Sequence, residues 1–407
     1  MKWWEQINRF LTPQRVRYAG PLGGVVWVAW LLSILLGAGA RDSVGQVVGA
    51  DYLQFYAAGS TLLRGESAKL YDLEYQQALE EAVAGGVLEG HHWFLNPPFF
   101  AAPFALLAML PYGWSFFAWS VVSVSALVAG LRLLGEAQPY RRAFWSLAFF
   151  PVFAAISFGQ NSLISFAILC LTYFLWRRRE VFAAGLVCSV ALYKPQLIMG
   201  VGLLWLLDWR RDWKALCGLV LGATGLACVS FLLMPAASEK YVEFACSALP
   251  RMMAHDGFPI WHAASLRSFF FMLLPGAIFL GECLGLLISA GALVLFVKLW
   301  SQQHDKPALT FSAAICLTLL VTPHAMIYEW SLLLIPALLL WSALPELRPL
   351  WRALFAVLWL SACVSGPIAY GMQRHMPLAL QVGVAAFVLV LLAARRALHG
   401  EATRDIR

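Results

Sequence analysis

The sequence predicts an all-α protein that crosses a membrane many times. Of its 407 residues, 61% are hydrophobic and only 13% are charged, and the mean hydropathy of the chain is +0.72. A soluble domain has about 25% charged residues and about 45–50% apolar ones, so a soluble fold of this composition would leave much apolar surface in water. The apolar residues also occur in long runs, with Lys and Arg clustered in the short loops between them. We therefore expect lipid to surround most of the chain.

The apolar residues form about 12 runs that we interpret as transmembrane helices. Several runs are shorter than the ~20 residues that a crossing requires, so their ends are approximate. No soluble domain or internal repeat interrupts them, and we expect residues 1–407 to form a single transmembrane domain. The stretch 97–113 is also apolar but is bracketed by prolines, and we expect a partial or re-entrant insertion there. We place the crossings near 21–40, 114–134, 143–158, 161–176, 181–193, 195–208, 214–234, 275–299, 307–322, 326–343, 347–365 and 377–394.

The basic residues predict the orientation of the chain. With both tails, 1–20 and 395–407, in the cytoplasm, most Lys and Arg residues fall on the cytoplasmic side, as the positive-inside rule requires. Clusters of this kind exclude a basic stripe for nucleic acid. The first apolar run lacks a convincing cleavage site, so we do not expect a cleaved signal peptide. A few basic residues remain outside: Arg41, Arg64, Lys69, Lys194, Lys240, Arg251, Arg267 and Arg374.

The predicted outer side carries two long loops, the first loop at about 41–97 and the second loop at about 235–274. In the first loop, the apolar residues from Tyr52 to Leu63 recur with a helical period, which predicts an amphipathic helix lying in the interface. Asp51 directly precedes this helix. An Asp at that position is commonly a helix N-cap, and it is also a candidate functional carboxylate. The two roles are compatible, because a capping bond would hold the carboxylate in place.

Short junctions on the same side carry further polar residues. Gln160 and Asn161 separate two apolar runs, Lys194 follows Tyr193 between the next two, and His324 precedes Tyr328 and Glu329. Each residue has a simple structural explanation by itself: Lys194 snorkels to the interface, His324 ends a helix, and Glu329 pairs with a neighbouring helix. Their placement on one side, together with Asp51, favours a shared cavity instead.

The second loop carries a cluster suited to an anionic or polyhydroxyl ligand. Arginine grips phosphate through its planar fork, and tryptophan stacks on a sugar ring. A metal site built from His255, Asp256 and His262 matches no standard ligand spacing, so we expect no metal there. The residues of this cluster are Arg251, His255, Trp261, His262 and Arg267.

Five segments together resemble glycosyltransferase family 87. They are, in order along the chain, "FYAAGSTLLRGESAKLYD", "NPPFFAAPFALLAMLP", "GQNSLISFAILCL", "AAGLVCSVALYKPQLIMGVGLLWLLDWRRDWK" and "TPHAMIYEW". The resemblance covers most of the chain, roughly residues 20–345. The resemblance implies a GT-C fold, with the first and second loops covering an active site at the outer face.

The same resemblance implies an inverting transfer of a sugar, typically mannose, from a polyprenyl phosphate to an acceptor hydroxyl. Asp51 occupies the position of the family's catalytic base. Lys194 and His324 are placed by the resemblance to bind donor phosphate or acceptor. Arg251 and Arg267 of the second-loop cluster are predicted to bind the same groups. A lipid-phosphate donor requires no metal or other cofactor in this interpretation. The residues expected to line the sugar or acceptor pocket are Tyr52, Asn96, Gln160, Asn161, Tyr193, His255, Trp261, His262 and Tyr328.

The chain departs from the family pattern at two places, which puts the identity of the sugar in doubt. Asn96 replaces the commoner aromatic residue before Pro97 and Pro98, and Asp51 has no second acid beside it. Two other classes stay open. A transporter or lipid flippase would show internal repeats and charges near the midplane, and a non-catalytic subunit of an envelope-polysaccharide complex would tolerate loss of Asp51.

The predicted orientation can be tested with single cysteines at positions 72 and 178 in a background without native cysteines. A membrane-impermeant maleimide added to intact cells should label position 72 and leave position 178 unlabelled until the cells are permeabilised. The opposite pattern would invert the topology, because the basic loops would then lie outside.

Overall fold

The protein is described by a computed structural model that covers residues 3–88, 90, 92–247, 258–323 and 325–402, with side chains through residue 398. Within these residues the chain is helical throughout. Its only β-type pairing there is three isolated bridges, Ala38–Arg41, Arg41–Val47 and Ala263–Met326. The all-α prediction is confirmed for the part of the chain that the structure covers.

Twenty α-helices follow one another along the described chain. In order they are α1 Trp3–Phe10, α2 Pro13–Arg17, α3 Ala19–Leu35, α4 Tyr52–Leu63, α5 Leu73–Ala84, α6 Ala102–Leu107, α7 Tyr112–Leu133, α8 Pro139–Ser146, α9 Phe150–Ser157, α10 Ser162–Arg177, α11 Val181–Val190, α12 Met199–Leu207, α13 Trp209–Leu233, α14 Pro235–Ser247, α15 Leu266–Leu273, α16 Ile278–Gln303, α17 Pro307–Val321, α18 Leu334–Ala343, α19 Arg348–His375 and α20 Val382–Ala402.

Five helical segments in the described chain are long and apolar enough to cross a membrane. Helices α9 and α10 form a further apolar pair, bent by 119° at the break between them. Every predicted crossing overlaps a helix, and the prediction of a polytopic membrane protein is confirmed. The count of about 12 crossings and the GT-C arrangement stay predictions. The five segments are Pro13–Leu35, Tyr112–Leu133, Trp209–Leu233, Ile278–Gln303 and Pro345–His375.

The stretch 97–113 is too short to cross by itself. Its helical part, Pro98–Leu107, is a 3₁₀ turn at Pro98–Ala101 followed by α6. Ten residues at about 1.5 Å each rise ~15 Å, about half of a hydrocarbon core. The partial or re-entrant insertion itself stays a prediction.

Internal contacts divide the chain into two compact units. The N-terminal unit comprises Gly24–Leu147 and Val152–Pro259, and the C-terminal unit comprises Met1–Gly23, Ala148–Pro151 and Ile260–Arg407. The interpretation of residues 1–407 as one functional domain stays a prediction.

An aromatic core lies beneath the first loop in the N-terminal unit. Helix α4 has the predicted bounds, but most of its surface is buried against other helices rather than lying free at an interface. The rings of Phe55 and Phe104 stack with centroids 4.8 Å apart, and Trp119 packs against Phe104 at 4.8 Å. A Cβ at Gly59 would lie 2.2 Å from the carbonyl oxygen of Phe104, so only glycine allows α4 to approach α6 this closely.

Small residues bring α11 and α13 into close contact. A Cβ at Gly185 would lie 1.8 Å from the Ala215 carbonyl oxygen, and one at Gly218 would lie 2.2 Å from the Phe182 carbonyl oxygen. Helices within lipid associate through backbone proximity of this kind, because lipid gives no hydrophobic drive between them. The glycines thus fix α11, whose C-terminal end leads into Lys194.

In the C-terminal unit, the segment around residues 260–265 pairs with the segment that follows α17. The backbone N–H of Ala264 donates to the Ala325 carbonyl at 2.5 Å, and the indole of Trp330 donates to the Ala264 carbonyl at 3.1 Å. The Gln381 amide donates to the Trp261 carbonyl at 3.0 Å. These bonds place the end of the second loop beside the "TPHAMIYEW" segment.

The close contact between α11 and α13 predicts that two glycines of α13 differ in how well they tolerate replacement by alanine. Gly218→Ala should lower the thermal unfolding temperature in detergent, because the methyl group meets backbone and overpacking costs about 1–3 kcal/mol. Gly225→Ala on the same helix has open space around its Cβ and should leave stability unchanged or slightly raised. Equal unfolding temperatures for the two variants would contradict this packing.

Candidate functional site

Asp51 lies at the start of α4 on a backbone turn that is fixed by its neighbours. The side chain makes no capping hydrogen bond, so the capping role that the sequence left open is not formed. The Tyr112 hydroxyl donates to the Val48 carbonyl at 2.7 Å and to the Gly49 carbonyl at 3.0 Å. Gly49 has a φ of 68°, and a Cβ there would lie 2.5 Å from the ring of Phe116. Glycine is required on both grounds.

Gln160 lies just beyond the end of α9, at the bend before α10. The backbone N–H of Gly159 donates to the Ile156 carbonyl at 3.0 Å, and that of Gln160 donates to the Ala155 carbonyl at 2.8 Å. Gly159 has a φ of 73°. This pair of bonds with a left-handed glycine is a Schellman ending, and it turns the chain so that Gln160 leaves the helix axis.

These two turns contact each other directly, so Asp51 and Gln160 lie side by side. The backbone N–H of Tyr52 donates to the Phe158 carbonyl at 2.9 Å, and a Cβ at Gly159 would lie only 2.5 Å from that of Tyr52. As a result, the Gln160 amide Nε2 donates to Oδ2 of Asp51 at 2.9 Å. The bond joins residues that are 109 positions apart in sequence.

Lys194 completes a chain of polar contacts through the same amide. Its Nζ donates to Oε1 of Gln160 at 3.1 Å. Tyr193 holds the preceding backbone: its ring stacks on Phe100 with centroids 4.2 Å apart, and its hydroxyl bonds Ser165 at 2.8 Å. A lysine can only donate and a carboxylate can only accept, so the two contacts fix which way the Gln160 amide points.

His92 is a fourth member of the site that sequence reasoning missed. Its Nδ1 lies 3.8 Å from Oδ1 of Asp51, and the two side chains are 22% and 25% exposed. The available signal was the His91–His92 pair just before the "NPPFF" segment. The sequence gives no role for this pair, because nothing in the spacing places residue 92 near residue 51.

A buried carboxyl group lies behind the backbone of His92. Glu80 on α5 is 1% exposed and accepts the backbone N–H of His92; burial raises the pKa of its carboxyl to about 9. The carboxyl is therefore neutral at pH 7.

Three residues that were predicted to line the pocket are buried, and the side chains of two of them bond to other residues of the unit. The Tyr52 hydroxyl bonds Ser115 at 2.6 Å. The Asn96 amide donates to the Tyr193 carbonyl at 2.9 Å, which ties the first loop to the residue before Lys194. Asn161 is fully buried, and its side-chain amide has no hydrogen-bond partner in the described chain.

The other predicted residues that the structure describes lie in the C-terminal unit. Trp261 packs on His262 and on Tyr370, with ring centroids 3.6 and 5.0 Å apart. Arg267 pairs with Glu282 at 2.7 Å, so part of its charge is already matched. Tyr328 is buried.

Arg251, His255 and His324 lie outside the described residues, as does Asp256. Among the residues that are described, no group of three or more His, Cys, Asp or Glu side chains could hold a metal ion.

The arrangement can carry out proton transfer beside a fixed positive charge. Asp51 is partly exposed, with Oδ2 bonded to Gln160 and Oδ1 lying 3.8 Å from Nδ1 of His92. A carboxylate with that exposure can receive a proton from a bound hydroxyl. The Lys194 ammonium, linked through the same amide, can stabilise a developing anion nearby.

One comparison with known proteins identifies the class of protein to which this chain belongs. The model of glycosyltransferase family 87 matches residues 94–323, which is more than half of the chain. An all-helical membrane protein with this match is a membrane glycosyltransferase. The chain belongs to glycosyltransferase family 87.

The matched segment includes Asn96, Gln160, Tyr193 and Lys194, while Asp51 and His92 precede it. No curated protein and no solved structure is significantly similar to the chain.

The two hydrogen bonds that join Gln160 to Asp51 and Lys194, here called the Gln160 bridge, predict that residue 160 must carry an amide. Gln160→Leu should reduce glycosyl transfer at least 10-fold, because it removes the bonds to Asp51 and Lys194 and leaves both charges less well paired. Gln160→Glu should reduce transfer as strongly, since a second carboxyl beside Asp51 forces one of the two to hold a proton. Gln138→Leu, on the α7–α8 loop, is the matched control. Full activity in both Gln160 variants would show that the bridge has no role.

Proposed function

We propose that the protein transfers a hexose, with mannose as the first candidate, from a polyprenyl-phosphate donor to a hydroxyl of a lipid-linked or glycan acceptor. The observation that supports this most directly is the hydrogen-bonded chain Asp51–Gln160–Lys194. It holds a carboxylate and an ammonium at fixed positions in one partly exposed cluster. A transfer that removes a proton from one substrate and releases a phosphate from the other requires both charges.

In the proposed reaction the acceptor oxygen attacks the anomeric carbon from the side opposite the phosphate. The hydroxyl proton passes to Asp51, the new glycosidic bond forms, and the bond from the anomeric carbon to the phosphate oxygen breaks. The electron pair of that bond stays on the polyprenyl phosphate, whose negative charge rises. Lys194 stabilises this charge, and the configuration at the anomeric carbon inverts.

Further residues that the sequence predicts for the site belong to the same proposal. His324, Arg251 and Arg267 bind donor phosphate or acceptor. Pocket residues of the sugar or acceptor are Tyr52, Asn96, Gln160, Asn161, Tyr193, His255, Trp261, His262 and Tyr328.

The remaining features of the proposal concern location. We place the reaction on the extracytoplasmic face of the plasma or inner membrane, with both termini in the cytoplasm, because the basic loops predict that orientation. Membrane lipids surround the protein, and both substrates reach the site on lipid or glycan carriers. Membership of a glycosyltransferase family disfavours the transporter alternative.

The base assignment is tested by Asp51→Asn in purified protein with radiolabelled polyprenyl-phosphate mannose and an octyl hexoside acceptor. The amide keeps the shape and an acceptor for Gln160 but cannot take a proton at neutral pH. Transfer should fall about 10²–10⁴-fold with little change in KM. The matched control is Asp72→Asn, since Asp72 caps α5 in the same loop and asparagine caps equally well.

Retained transfer in Asp51→Asn would remove Asp51 as the base. If the protein transferred neither mannose, glucose nor galactose from polyprenyl phosphate, this class of donor would be excluded.

A further inference from the structure

The carboxylate of Asp51 faces a second basic group that neither the family match nor the proposed reaction uses. Oδ2 of Asp51 is bonded to Gln160, and Oδ1 faces Nδ1 of His92 at 3.8 Å. That separation is about 1 Å longer than a hydrogen bond. Contacts between catalytic groups are often this long before substrate binds and tighten afterwards.

The segment that begins at His92 is fixed by three hydrogen bonds. Its own backbone N–H is accepted by the buried Glu80 carboxyl. Two residues later, the Phe94 N–H donates to Oε1 of Gln76 at 2.7 Å. The Tyr71 hydroxyl donates to the Asn96 carbonyl at 2.6 Å. A loop residue held this firmly near a reactive carboxylate is pre-organised, and the anchoring contacts do not require the imidazole itself.

The Asp51 carboxylate lies beside the imidazole and stabilises the imidazolium that forms when the proton arrives. The Glu80 carboxyl is neutral near pH 7, because burial raises its pKa to about 9. The Lys194 ammonium is linked to Asp51 through the Gln160 amide. The Arg41 guanidinium donates to the backbone carbonyls of Gly45, Ala84, Gly86 and Val87. The Tyr112 hydroxyl donates to the carbonyls of Val48 and Gly49.

We propose that His92 receives the proton that Asp51 removes from the acceptor hydroxyl, so that the two side chains act as a relay. This deepens the proposed function and depends on it. In the first step the acceptor O–H bond breaks and the proton binds Oδ1 of Asp51. In the second step it moves to Nδ1 of His92, which leaves an imidazolium beside a carboxylate. The imidazolium then releases the proton to solvent through its exposed edge.

The relay has a physical advantage over the carboxylate alone. Imidazole is the stronger base of the two by roughly a factor of 10² to 10³ in model peptides. Passing the proton on restores the charge of Asp51 while the polyprenyl phosphate is still bound. His92 acts through Asp51, so its role is to set the basicity of the pair rather than to contact the sugar.

The test compares His92→Asn with the native protein, using polyprenyl-phosphate mannose and an octyl hexoside from pH 5 to 8.5. Asparagine places an N–H near the position of Nδ1 but cannot take up the proton. We expect kcat to fall about 10–100-fold with KM within 3-fold. Native kcat/KM should decline as pH falls through the imidazole titration range, and the variant should lose that acid limb.

A second variant separates the relay from a structural role. His92→Ala should be partly restored by added imidazole in a concentration-dependent way, because the free base can enter the vacated space. His375→Asn, at an exposed histidine in the last turn of α19, should show native rates and a native pH profile. Loss of activity in both His92 variants with the acid limb retained and no restoration by imidazole would overturn the relay.

The outcomes also distinguish the relay from the function on which it rests. An inactive Asp51→Asn together with a fully active His92→Asn would overturn the relay and leave the glycosyl transfer proposal standing. A native protein that transfers no sugar from the lipid-phosphate donor would instead overturn the proposed function.

Discussion

The hydrogen bond from the Tyr52 backbone to the Phe158 carbonyl joins two turns that the chain reaches a hundred residues apart. The first turn carries Asp51 and the second carries Gln160, and each contains a glycine with a positive φ. Any side chain at Gly159 would meet Tyr52, and any at Gly49 would meet Phe116. The close approach of two backbones is therefore the constraint that brings the carboxylate to the amide. Lys194 then reaches the same amide from the end of α11.

The aromatic core supplies the rigidity behind this contact. Tyr52, Trp119 and Phe104 pack together, and Trp119 also donates to the Gly159 carbonyl at 2.8 Å. Tyr193 and Asn96 extend the same core to the backbone of Lys194. Residues predicted to line the pocket thus also hold the charged groups in place. Positioning of this kind is a large part of catalysis, because a fixed donor or base needs no reorganisation when the reaction occurs.

Particular residues show where sequence reasoning succeeded and where it stopped. Asp51, Gln160 and Lys194 were grouped because each is polar beside an apolar run on one predicted side, and the structure brings the three together. The helix after Asp51 has its predicted bounds, but the capping bond is not formed. His92 was missed and Asn96 was assigned to the pocket, because neither residue's spacing reports its neighbours in space. Arg267 was predicted to bind phosphate, and the structure adds its pairing with Glu282.

The sequence by itself determined the membrane class, the helical segments and the polar junctions between them. These follow from hydropathy and charge, which act locally and can be read in chain order. Only the tertiary structure decided which oxygen of Asp51 bonds Gln160, how the Gln160 amide points and that His92 faces the remaining oxygen. Those details depend on backbone approach between distant turns and on rotamers set by packing, and neither is encoded in the spacing of residues along the chain.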